Sequence, residues 1–178
     1  MKFSSLMVAF SYAANTNGSA VVALDIFECL QRDIHDDVVL INSILSQATA
    51  EPGVDTTVPK NDIADALQHI IASVKNATDV GASTPMGSLN TNLEGRDVIS
   101  DVVFGIFDAI QAIVADLGIV ILKALDFFNH SEVVINLSVL IVKALLGLIN
   151  GLLRPLVGSQ YSELLQQIIN SIITLIPI

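Results

Sequence analysis

The 178-residue chain has one cysteine, no tryptophan, five prolines and only eight basic side chains. A single cysteine excludes an internal disulfide framework, so an apolar core has to supply the stability. The place of Cys29 among apolar residues of helical spacing points to a buried small hydrophobe. Without tryptophan, and with aromatics at 5% of residues, the chain is poorly equipped to stack sugars on exposed flat rings. Eight bases against 18 acids leave a net charge of −10, which repels phosphate backbones and excludes nucleic acid as a partner. Charged residues make up 15%, against about 25% in an average soluble domain. That scarcity, with 52% apolar residues, excludes intrinsic disorder.

A long uncharged run is missing too. The longest stretch free of charged residues in the C-terminal half is the 15 residues from Leu164 to Ile178. A spanning helix needs about 20 mostly apolar residues. Lys143 and Arg154 interrupt the richest apolar region, so no transmembrane span is expected.

The chemistry of an active site is absent as well. His35, His69 and His130 stand far apart, none with a second ligand at metal-site spacing. The run His35-Asp36-Asp37 reads as an exposed acidic helix face, not a metal cluster. There is no nucleophile elbow, dinucleotide-binding glycine motif or phosphate-binding loop, and Cys29 has no evident base. The expectation is a protein that is not an enzyme and that needs no cofactor or metal.

What is present is helical periodicity. From about Val22 to Leu45, the residues Phe27, Leu30, Ile34, Val38, Ile41 and Leu45 recur three or four apart. The stretch from Ala50 to Pro59 reads as a loop. Asn61 is expected to cap a second helix carrying Ile63, Leu67, Ile70, Ile71 and Val74. Val80 to Asn90 reads as another loop, and Thr91 with Glu94 forms a capping box before a third segment, Val98 to about Phe128. That segment is apolar nearly all round, its polar or small residues confined to a wedge through Asp101, Asp108 and Asp116. Ser131 is expected to cap the next segment, which Pro155 is expected to end. Along the last helix Glu163, Gln167, Asn170 and Thr174 mark one edge. No period of two competes. The fold class is all-α, a bundle of about five helices with very apolar C-terminal helices.

Charge is uneven along this pattern. Residues 1–97 hold 12 acidic and five basic side chains, residues 98–178 only six and three. The second half is close to a pure core sequence. Another part of the chain, a ligand, a surface or a second copy in a homo-oligomer must cover it.

Residues 1–14 read as a signal peptide: Lys2 is followed by a short apolar core from Phe3 to Phe10 and by small residues at a cleavage site, Ser11-Tyr12-Ala13. Residues 15–178 are then a single helical domain. Four N-x-S/T sequons, at Asn17, Asn76, Asn129 and Asn136, agree with export of a glycoprotein.

The order of features resembles the fungal cell-wall galactomannoprotein family, also called hydrophobic surface-binding protein A-like, over roughly residues 24–176. The residues that carry the likeness run from Leu24-Asp25-Ile26 through Asp33-Ile34-His35-Asp36-Asp37-Val38-Val39-Leu40-Ile41-Asn42 in the first helix. After a second amphipathic helix and a polar loop come Asp101, Phe104, Ile106, Asp108 and Ile110 in a long helix, then the leucine-rich stretch from Val133 to Leu153. The last helices here are more apolar than that pattern. The resemblance implies a secreted bundle associated with the cell wall. It implies either fatty acids or other lipids bound in a central cavity, or adsorption to hydrophobic surfaces.

Apolar walls for a fatty acid or similar lipid are expected between the last three helices, at Phe104, Phe107, Ile110, Val114, Leu122, Leu140, Leu145 and Leu148. Lys123 or Lys143 is placed to hold a carboxylate at the mouth. The alternative is a surface-active protein that coats hydrophobic material or assembles with itself.

Overall fold

The computed structural model describes residues 18–50, 55–84, 96–157 and 161–177, and these are helical with no strand among them. Helix α1 runs Gly18–Ala50, α2 Thr57–Ser83, α3 Arg96–Phe127 and α4 Glu132–Leu148. A π-helical turn, Ile149–Leu153, joins α4 to the short α5, Arg154–Val157, and α6 spans Ser162–Ile173. The bundle expected from the periodicity is the fold observed. The capping box at Thr91 and Glu94, the proposed signal peptide and Asn17 lie outside the described residues.

All six apolar positions picked out on the first helix are buried, so the 3.6-residue period located its inner face. α1 is the central element, packing on α3 along one side and on α2 along the other, and α2 in turn packs on α4. Round the bundle the order is therefore α3, α1, α2, α4. The polar ties show the directions. His35 Nδ1 lies 3.0 Å from Asp116 Oδ2, and Lys123 Nζ donates to Asn42 Oδ1 at 2.8 Å. Both pairs are separated by 81 residues, as are Leu24 and Gly105, where a Cβ on the glycine would lie 3.1 Å from the leucine. One constant offset over three contacts means that α1 and α3 run parallel and in register. His69 Nδ1, 2.8 Å from Asp37 Oδ2, ties α2 to α1.

The seam between α3 and α4 is thinner than those on either side of α1, and α6 touches both of its helices. Tyr161 packs edge-on against Phe104 with ring centroids 6.3 Å apart, and Leu175 lies opposite Gly118. α6 thus climbs parallel to α3, inserting Leu165, Ile168 and Ile172 as its buried row, which Leu175 continues just past its end.

Three helix boundaries differ from the sequence expectation, two of them at a proline. α2 begins at Thr57, so Pro59 is its third residue and Asn61 is already inside it. The first turn needs no N–H donors, which makes proline harmless there. Asp55 supplies the start signal by accepting from the Thr57 N–H at 2.9 Å, and its hydrogen bonds to Thr57 hold its carboxyl below the ordinary value. The second departure is at Pro155, which does not end α4. Its ring would crowd the carbonyl four residues back, and the wider π turn relieves this: the Arg154 N–H bonds Ile149 O, five residues back. Helix α2 also continues to Ser83, so Val80 to Ser83 belong to it and not to a loop. Ser131 caps α4 as expected, accepting from the Val133 N–H.

The π turn also aims Leu152 at Gly81 of α2, where a Cβ would come within 2.7 Å of Leu152 Cδ1. Gly81→Ala gains helix propensity of about 1 kcal/mol but overpacks at a cost of about 1–3 kcal/mol, so it should destabilise the bundle. A double-mutant cycle with Leu152→Ala in urea melts should show favourable coupling. Strict additivity would rule out that contact.

Candidate apolar site

α3 from Asp101 and the α4 rod through Val157 are both long and apolar enough to cross a membrane by length and composition, and 44% of each best window is buried within the bundle. Their uncovered parts are where a ligand could act. α6 has 12 residues, about 18 Å, while α3 has 32, about 48 Å. With Leu175 opposite Gly118, the cover stops well short of the α3–α4 turn.

Beyond that point α3 turns Ile119 and Leu122 outward, at 55% and 63% exposure. Leu122 stands five turns above Phe104 and faces the same way, and Phe104 is the residue that meets Tyr161 at the base of α6. Gln111 and Ala115 stand between them on the same face and are exposed as well. Leu122 therefore lies on the outward side of α3, beside the line that α6 covers, while Ile121 and Leu125 above Gly118 are buried. Ile135 of α4, half-buried against the core, lies near the same end of the hairpin.

The eight wall residues expected from the sequence fall into two sets. Phe107, Ile110, Leu145 and Leu148 are buried within the core. Phe104 and Leu140 are exposed at 47% and 46%, as is Leu122, while Val114 is half-buried. Leu140 stands with Val133 on the outward face of α4, two turns apart. The structure thus joins Phe104 and Leu122 in one row and sets Leu140 apart from it. Lys123 is engaged by Asn42. Lys143 is exposed one turn from Leu140 and has no hydrogen-bond partner among the described residues. Arg154 reaches Asn150 at 3.5 Å.

Sequence reasoning overlooked α6 as the cover. The signal was legible in Leu165, Ile168, Ile172 and Leu175, spaced three or four apart. It also overlooked Asp37, which is not part of an exposed acidic face; its side chain is only 13% exposed and bonds His69. Cys29 is half-buried, and Arg32 donates to its Sγ at 3.0 Å. No group of three metal-binding side chains occurs among the described residues. Comparison with family models, with curated proteins and with solved structures finds no match to this chain.

Proposed function

We propose that the protein is an exported, non-enzymatic binder of fatty acids or similar apolar lipids, taken up along the α3–α4 seam. The observation that carries this reading is the exposure of two large apolar side chains, Ile119 and Leu122, on α3 above the end of α6. An acyl chain laid there covers Ile119 and Leu122, and displacement of α6 would open the seam beside them toward Phe107 and Ile110. Burial drives binding: at about 0.8 kcal/mol per CH₂ a 16-carbon chain offers up to roughly 10 kcal/mol before entropy losses. Lys143, exposed on α4 and without a hydrogen-bond partner among the described residues, is the candidate for the carboxylate, which then has to reach across from α3 to α4. The resemblance drawn from the amphipathic rhythm points to the same class of ligand.

Titration with palmitate, read by native mass spectrometry, tests the reading. One or two bound molecules are expected, and no uptake would sink it. Lys143→Glu should weaken palmitate binding about two- to fivefold, the worth of one exposed charge contact, and leave the matching alcohol unaffected. Equal effects on acid and alcohol would remove Lys143 from the site.

A second reading has an observation of its own. Val133 and Leu140 form an apolar stripe on the outward face of α4, suited to adsorption on a hydrophobic surface or to self-association. A protein of that kind lowers interfacial tension and adsorbs without saturating at one equivalent.

A further inference from the structure

We propose that Asn129, in the turn between α3 and α4, is the acceptor of an N-linked oligosaccharide. The inference rests on the reading of the chain as exported. The described residues contain three sequons, and the structure treats them differently. Asn76 is half-buried within α2, and its partner hydroxyl, Thr78 Oγ1, donates to Val74 O at 2.9 Å inside the same helix. Asn136 is exposed on α4, but Ser138 is fully buried, with its hydroxyl bonded to Val134 O at 2.8 Å. In both, the hydroxyl two residues on, which is part of what the glycosylating enzyme reads, is locked into a helix.

Asn129 differs in its setting. Although the Ser131 hydroxyl caps α4, it does so by accepting from the Val133 N–H at 3.3 Å, not by donating to a helix carbonyl as Thr78 and Ser138 do. Asn129 is exposed, outside any helix, and its side-chain amide has no hydrogen-bond partner among the described residues. Its backbone is left-handed at φ 51°, followed by His130 at φ 56°. Asparagine tolerates that conformation better than most residues, so the sequon sits in a turn that suits it. Ser131 lies just before α4, at the same surface. A glycan here projects from the end of the bundle and displaces no packed side chain. One on Asn136 would instead overlie Val133 and Leu140, three residues before and four after it, and cover the outward stripe of α4.

The chemistry is a group transfer from a lipid-diphosphate-linked oligosaccharide. The Asn129 Nδ2 forms a bond to the anomeric carbon. The bond from that carbon to the diphosphate oxygen breaks, its electron pair leaving with the lipid diphosphate. The amide proton passes to a carboxylate of the transferase. A glycan at the tip also keeps the α3–α4 turn in water, so that lipid reaches the seam from the side and not by passage of the turn through a bilayer.

Two substitutions remove the sequon without harming the turn. Asn129→Gly keeps the left-handed backbone, and Ser131→Asp keeps the cap of α4. The full chain, secreted from a glycosylating yeast behind a foreign leader, would be digested with peptide N-glycosidase in H₂¹⁸O and mapped by mass spectrometry. The wild type should carry one glycan at Asn129, and both variants should lose it. A secreted wild type bare at Asn129, or a glycan whose mass persists in both variants, would overturn the proposal. Palmitate binding by the unglycosylated chain from bacteria is a separate readout, so failure of the lipid reading would be seen independently of this result.

Discussion

Phe27→Ala should remove about 3–5 kcal/mol of stability, which is a large share of the roughly 5–15 kcal/mol available to a domain of this kind. Phe27 is fully buried on α1, the helix against which both α2 and α3 pack. Truncation there leaves a cavity between elements held in register by contacts on either side, so the site has little freedom to collapse. Phe104→Ala is the matched control. That ring is half exposed and forms an edge-to-face pair with Tyr161, so its loss should cost about 0.5–1.5 kcal/mol. Urea unfolding followed by circular dichroism measures both, with the midpoint falling and the slope unchanged. Equal losses in the two variants would mean that the core is not centred on α1.

The contrast between these two phenylalanines also shows where sequence reasoning works. α1 carries charge on one side and apolar residues on the other, so a wheel at 100° per residue identifies its inner face without ambiguity. α3 has no such contrast: Phe104, Phe107, Ile110, Leu122 and their neighbours leave only a thin polar wedge. On such a helix, periodicity says that much is apolar but not which apolar side meets the neighbours. Phe104 and Phe107, three residues apart, accordingly end with opposite fates. Pairing of the helices was equally hidden. His35 with Asp116 and Asn42 with Lys123 are short polar contacts between side chains 81 residues apart, and nothing local to either partner announces them.

Proline misled for a different reason. Its effect depends on its position within a turn, and a sequence shows only that it is present. Pro59 falls where a helix has no use for the missing N–H, and Pro155 falls where a widened turn absorbs its ring. Both therefore read as breaks in the sequence and both sit within helical structure.

The largest functional effect should come from α6. Ile168 and Ile172 are buried in the middle of its inner row, and each contributes about 1.5–3 kcal/mol by its removal from water. Ile168→Asp with Ile172→Asp replaces that gain with two carboxylates that have no partner in an apolar seam, so α6 should leave its site for solvent. The loss should stay local, because α1 to α4 pack on one another without its help. Hydrogen exchange should accelerate in α3 between Phe104 and Gly118 while α1 and α2 stay protected, and fluorescence of an apolar dye should rise several-fold. The unmasked seam adds about 18 Å of groove to the part already open. Palmitate binding should then persist in the variant and extend to longer chains, because the seam that α6 vacates adjoins the exposed Ile119 and Leu122. If binding is instead abolished while α1 to α4 remain folded, α6 is itself a wall of the site, and the ligand lies beneath the helix and not in its place.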